Sequence, residues 1–492
     1  MLKDLFLSKT TLYLLSAFIG LRLVSFFLVD YLIAQGIVVF ILLVCFVILF
    51  YKKPVYGWFF LVTELLLGGT GNLLSLGGLS IRTVILLAFF LMWYSQGSVL
   101  HSLQKQIKRL SPLSYIVLFL LIYIWFSAIL GLIHGNGLSA VFADIVPYLF
   151  FFLILPAIQF IREKDNYDYY LKVLITFVVG SALFSLLTFV LFSSGFVELQ
   201  EPYYNWFRDI VGGKITDLGS GFWRVVTPIH LLLTPVMLAI SSALIRVKWN
   251  ADETDLTNLN GFFHTKFIKP FLNIFSDKKR DALFLWLTLI LIVPTFVFNF
   301  SRTYILGLII GLLVLGYFHK KEIWQWFVVS FILLFSIFAF FSVTHFVSSG
   351  FVSAGWDLFG VRISSIARPG SEISSNTRRE LLGPILDMIK EKPLIGSGLG
   401  SSVTFINPVS KEEVTTRQFD WGYLEMFAEL GFVGLAIFTV LLLFVFYGLL
   451  KFKNYSYIAI FLSLLAMNIT TPALFHVFGV IMIVYFISLV KT

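Results

Sequence analysis

The chain has 492 residues, of which 59% are hydrophobic and only 13% charged, with one cysteine and a formal charge of +9. Soluble domains carry about 25% charged residues, so this balance, with a mean hydropathy of +0.93, excludes a soluble fold and places most of the chain in lipid. The lone Cys45 excludes a disulfide framework and a thiolate metal site, and the Lys residues fall mostly in short inter-helix loops, where they set orientation rather than bind nucleic acid.

The apolar runs are near 20 residues long and continuous rather than alternating. In hydrocarbon every backbone group needs an internal partner, so helices are expected. The pattern predicts an all-α polytopic membrane protein with about fourteen spans, at 11–29, 31–50, 56–69, 80–95, 113–133, 141–161, 171–193, 225–245, 282–300, 303–318, 323–343, 421–449, 455–470 and 473–489. The N-terminus MLKDLFLSKT leads into the first span without a small-residue cleavage site, so no cleaved signal peptide is expected. The third span is short and ends in GGTGNLLSLGG, the pattern of a re-entrant or broken helix. Arg22, Glu64 and Arg82 lie inside spans, where they either pair between helices or mark a proton or transport path.

Basic loops around Lys52 and Lys53, Lys105 to Arg109, Arg162 and Lys164, Lys320 and Lys321, and Lys451 and Lys453 all fall on one side if both termini are cytoplasmic. The chain then divides into N-terminal helices (1–200), central helices (201–343), a large external loop (344–420) and C-terminal helices (421–492). The central part carries an external stretch at 194–224 and a weakly patterned cytoplasmic loop at 246–281.

The two external stretches carry more Arg than Lys: Arg208, Arg224, Arg362, Arg368, Arg378, Arg379 and Arg417. Arg on that side opposes the positive-inside tendency. A planar guanidinium fork that grips phosphate oxygens in pairs is one reason to keep it there. Arg302, in FNFSRTYILGLII, stands between two spans with almost no loop, where an unpaired charge costs about 2.5–3.5 kcal/mol. It either snorkels to the interface or waits for a lipid-linked phosphate. Arg224, in GSGFWRVVTPIHLLL, stands at the mouth of the earlier long span with His230 two turns deeper, as an interfacial anchor or a second cation for the same ligand.

Within the large loop, Thr377-x-x-Glu380 reads as a capping box opening a surface helix to Lys392. Its apolar stripe is Leu381, Leu382, Ile385, Met388 and Ile389, and Pro384 is expected to kink it. The loop closes on PLIGSGLGSS (393–402), and Asp420 begins the last re-entry. Asp420 either complements the helix dipole or serves as general base toward a sugar hydroxyl. Asp217, Glu198, Glu201, Asp357, Glu372 and His345 are alternatives. No D-x-D occurs in either external stretch, which argues against a metal and nucleotide-sugar mechanism.

SRTYILGLIIGLLV, TRRELLGPILDMIKEKPLIGSGLGSS and DWGYLEMFAELGFVGLAIF, in that order over about 300–440, resemble the O-antigen ligase and polymerase superfamily of bacterial envelope glycosyltransferases. The resemblance implies a GT-C-like fold in the inner membrane with its site facing the periplasm, acting without metal or other cofactor on undecaprenyl-diphosphate-linked oligosaccharide. It leaves room for a chain-length regulator protein as partner. It implies that arginines bind the diphosphate; joined to the residue reading, the catalytic candidates are Asp420, Arg302 and Arg378, and the candidate substrate contacts Arg224, Arg302, Arg378, Arg379, Arg417, Tyr423 and His230. Ligases of the superfamily usually carry a His-Asn pair before Y-L at the last re-entry. Here that place reads Asp420-Trp421-Gly422-Tyr423-Leu424, which is more like an inverting polymerase. A ligase acting on lipid A core or another acceptor, and a flippase for lipid-linked oligosaccharide, are the rival expectations.

Overall fold

The computed structural model describes residues 9–67, 71–96, 112–161, 164–219, 221–246, 277–367, 373–408 and 411–490. Arg162, Arg368, Glu372, the 105–109 basic loop and most of the 246–281 loop lie outside them, as does the Arg362 side chain. Helices dominate: α1 (Lys9–Phe27), α2 (Leu32–Lys52), α3 (Pro54–Leu66), α4 (Ile81–Ser95), α5 (Pro112–Ile133), α6 (Leu138–Leu149), α7 (Ile154–Ile161) and α8 (Lys164–Ser193) form the first part. After α9 (Pro202–Asp209) come α10 (Leu233–Arg246), α11 (Asp277–Asn299), α12 (Arg302–Phe318) and α13 (Ile323–Ser348). Then α14 (Trp356–Ala367) and α15 (Ile373–Glu391) lead to α16 (Gly422–Phe452), α17 (Tyr455–Met467) and α18 (Val477–Leu489).

Among the described residues, nine helices are long and apolar enough to cross a membrane, α6 and α7 counting as one through a short 3-10 link, and α3, α4, α12, α17 and α18 are shorter apolar helices. These helices fall at the positions of the fourteen expected spans, nine of those described long enough to cross, and the protein is an all-α polytopic membrane protein. Three antiparallel hairpins stand between helices: β1 (Ser75–Leu76) with β2 (Leu79–Ser80), β3 (Lys214–Asp217) with β4 (Trp223–Val226), and β5 (Val403–Ile406) with β6 (Glu413–Thr416).

Three boundaries depart from the sequence reading. The span expected at 225 begins as α10 only at Leu233, because the Trp223–Val226 run pairs with β3 and Pro228 opens a 3-10 turn. The surface helix starts at Ile373, so Thr377 lies inside it rather than capping it, and the helix continues through Pro384. Tertiary packing outweighs the local capping signal here: Leu381, Ile385 and Ile389 bury against Val403, Phe405, Phe419 and Ala428 in a small core separate from the main one. The GGTGNLLSLGG segment carries the β1–β2 hairpin, tied to α2 by Gln35, whose Oε1 accepts from Ser75 N and Oγ at 3.1 Å each.

The three intramembrane charges have found partners. Arg82 Nε meets Glu64 at 3.4 Å with both side chains under 10% exposed. Arg22 lies between the Phe18 and Phe184 rings at 4.3 and 4.7 Å and donates to Leu67 O.

Candidate functional site

The arginine-bearing segments gather where β4, the α11–α12 turn, the α17–α18 turn and the start of α16 come together. The α11–α12 turn is two residues, Phe300 and Ser301, and Phe300 takes φ 45°, a left-handed conformation that strains a bulky side chain. Packing holds it there. The Phe300 ring stacks on Phe341 at 5.1 Å and meets Phe222 edge-on, while Phe222 stacks on His345. This tight turn delivers Arg302 as the first residue of α12.

Arg224, opposite Thr216 in the β3–β4 ladder, donates from Nε to Asn299 O at 2.8 Å. Asn299 is the last residue of α11, so a cation sits against the negative end of that helix. Asn299 Nδ2 and Thr227 N both donate to His230 Nδ1, at 2.8 and 3.2 Å. The other ring nitrogen, Nε2, therefore carries the hydrogen and points it at Ser185 Oγ, 3.0 Å away. His230 is fully buried with both nitrogens engaged. It braces Asn299 and thereby Arg224, and the direct substrate contact expected of it does not fit this burial.

α12 packs along α17, and next to Arg302 the Thr303 hydroxyl bonds Thr470 and Thr471 at 2.8 and 3.2 Å. Two residues before Thr470, Asn468 lies against Gly422, where a Cβ would collide with its backbone and side chain. Tyr423 donates to Leu465 O at 2.9 Å and so pins α16 to α17 rather than facing outward. The α17–α18 turn thus joins the Arg224–Arg302 group to the entrance of α16.

At that entrance Asp420 adopts φ 57°, which a short acidic side chain tolerates, and its Oδ2 meets Arg378 Nε at 3.5 Å. Trp421 Nε1 donates to Arg378 O at 3.1 Å, locking α15 over the start of α16. The pair is open, with 24% of the Arg378 and 45% of the Asp420 side chain exposed. Arg379 points outward to Glu380 and Arg417 is exposed. Arg208 pairs with Asp209 at 2.7 Å, and this bond holds the exposed Asp209 carboxyl below the usual carboxylate range.

Of the alternative bases, Asp217 caps its own turn through Gly219 N, and His345 is buried with Nδ1 against Ser353 O at 3.0 Å. Glu198, Glu201 and Asp357 are exposed.

The 393–402 segment performs a task that sequence reading missed. α16 is broken at Gly431, whose φ 65° and ψ −171° interrupt the helical ladder inside a span. Freed backbone groups in hydrocarbon are expensive, and here each has a partner. Phe432 N and Val433 N donate to Pro393 O and Leu394 O at 2.9 and 3.1 Å. Ala428 O and Glu429 O accept from Ser397 N and Gly398 N at 2.8 and 3.0 Å, and Leu430 O accepts from Tyr123 Oη at 2.8 Å. Glycine is required on both sides of this splice, since a Cβ at Gly396 or Gly431 would strike the other strand's backbone. The chargeless HGNG loop receives the segment's far end, with Asn136 Nδ2 donating to Leu399 O at 2.9 Å.

Beneath the splice lie three further carboxyls absent from the sequence-based candidates: Asp144 on α6, and Glu425 and Glu429 on α16. Intramembrane acids one helical turn apart were the available signal, whereas Asp144 lies far away in the chain. No group of His, Cys, Asp and Glu with metal-holding geometry occurs among the described residues.

A family model described as O-antigen ligase matches residues 287–439, from within α11 through the broken part of α16. No curated protein and no solved structure matches the chain.

Proposed function

We propose that this multi-pass membrane protein of the O-antigen ligase and polymerase superfamily is the polymerase type, joining lipid-linked oligosaccharide repeats into polysaccharide at the outer face of a bacterial inner membrane. The observation that carries the reading is the convergence of Arg224, Arg302 and the Arg378–Asp420 pair on one end of the bundle, through the Asn299 and Thr303 contacts.

A polyprenyl diphosphate already contains a competent leaving group. The protein must supply fixed positive charge where negative charge accumulates, and must align two large substrates. Arg302 is suited to the first task, because it is the first residue of α12, where the positive end of the helix dipole also favours an anion. Arg224 adds a second guanidinium braced by Asn299, and Arg378 a third, steered by Asp420. Asn299 Oδ1 is buried without a partner at this seam, a cost proteins retain mainly where function needs it. In this reading guanidinium forks stand in the place of a divalent cation. A GT-C-like architecture and a chain-length regulator partner belong to the same proposal.

The acceptor's hydroxyl attacks the anomeric carbon in a single displacement, which inverts configuration. The description of the matching family keeps a second reading in view, transfer of finished polymer to lipid A core or another acceptor. The purified protein, given an undecaprenyl-diphosphate-linked repeat and a separate lipid A core acceptor, distinguishes them. A ladder on undecaprenyl diphosphate is the expected product. Product on the core alone would make it a ligase, and translocation without a new glycosidic bond would make it a transporter.

A further inference from the structure

On the reading of the site as a glycosyltransferase centre, we propose that Glu425, rather than Asp420, takes the proton from the acceptor sugar's hydroxyl, with the Asp144–Glu429 pair holding it in place. Two carboxylates stand at the α16 entrance, and they are not equivalent. Asp420 spends Oδ2 on Arg378 at 3.5 Å, and a carboxylate neutralised by a guanidinium is a poor proton acceptor. Glu425, in the first turn of α16, has no salt-bridge cation among the described residues, and its Oε2 is sealed from solvent without a hydrogen-bond partner. A buried, unpartnered carboxylate oxygen at a reaction centre is a place prepared for a donor that is not part of the protein.

Several acidic groups stand around Glu425, and Arg378, the cation at the α16 entrance, pairs with Asp420 instead. Asp144 and Tyr148 face it from α6, Glu429 lies one turn further along α16, and Asp420 stands before it, with Arg417 acting on Asp144 from a distance. Asp144 and Glu429 lie beside each other. Asp144 Oδ2 also accepts from Gly400 N at 2.9 Å, which ties the pair to the loop that splices α16. That tie fixes the helix turn carrying Glu425 and makes Asp144 and Glu429 positioning residues. Burial among like charges is the environment in which proteins let a carboxylate act as general base near neutral pH.

The step is balanced within the two substrates. The acceptor oxygen forms a bond to the donor's anomeric carbon while the bond from that carbon to the diphosphate oxygen breaks. The electron pair leaves with the diphosphate, between the arginines, and the hydroxyl proton passes to the Glu425 carboxylate, to be lost to solvent after the product has left.

The test uses the full chain in detergent or nanodiscs with an undecaprenyl-diphosphate-linked repeat as substrate, scoring glycosidic product against undecaprenyl diphosphate binding. Glu425→Gln, which keeps size and hydrogen-bonding capacity, is expected to lower kcat roughly 100-fold or more with binding unchanged. It should also abolish the fall in wild-type kcat toward acid pH. Asp420→Asn should lower kcat far less and keep that fall. Glu425→Asp gives a second measure if the glutamine variant does not fold: kcat drops with KM unchanged. Product from Glu425→Gln at near wild-type rate, an unchanged kcat in Glu425→Asp, or an acid fall abolished by Asp420→Asn overturns the assignment while the glycosyltransferase reading stands. No product from the wild type with any acceptor overturns the reading beneath it.

Discussion

Two arginine–carboxylate pairs of nearly equal length do opposite work in this protein. Arg82–Glu64, at 3.4 Å, is sealed between α3 and α4 with both side chains below 10% exposure. Arg378–Asp420, at 3.5 Å, sits at the polar end with its carboxylate nearly half exposed. The first pair has traded hydration for each other, and neither partner can leave without abandoning a charge in low dielectric. The second keeps its water and can exchange partners at little cost, which a binding site requires. Distance alone does not separate a strut from a site, whereas access to solvent and ligand does.

This contrast can be broken by substitution. The largest expected effect is Glu64→Gln, which strands Arg82 and should cost about 3–5 kcal/mol of stability. Denaturation of the solubilised protein would show it, with turnover per folded molecule unchanged. Replacing both partners by apolar residues should restore most of the loss. Next comes Arg302→Lys, which keeps charge but loses the fork at the start of α12. Turnover should fall by about 3–4 kcal/mol in transition-state stabilisation, with the melting temperature intact. Wild-type product from this variant would remove Arg302 from the mechanism.

Arg378→Lys should be milder, about 1.5–3 kcal/mol, read as a kcat loss with folding preserved. A large stability loss there would mean that the open pair is a strut after all. The smallest effect is expected for Arg379→Gln. Arg379 makes only a surface contact with Glu380 at 3.5 Å, so both activity and stability should stay within roughly twofold.

The helices were legible because lipid imposes a simple rule of length and polarity, and α1, α2, α5 and α13 follow it without ambiguity. Local signals failed where tertiary contacts outweighed them. Thr377 read as a cap, yet packing of Leu381 and Ile385 on β5 and α16 extends α15 past it. PLIGSGLGSS marked only the close of the external loop, because its role as a splint depends on Gly431 breaking α16, and neither segment alone reveals the other. Arg302 could be singled out because a charge between two spans is costly. The spacing of Glu425 and Glu429 was visible too, but their setting was not, because Asp144 arrives from α6.

Composition by itself therefore determined that this is a bundle of membrane helices, since 59% hydrophobic residues in runs of span length have no other stable solution in lipid. It also determined that arginine gathers on the polar loops. Which arginines meet, which histidine is a brace, and which carboxylate stays free to accept a proton were decided only by the tertiary structure. These are properties of pairs brought together from distant parts of the chain, and burial and hydrogen bonding exist only after the chain has closed on itself.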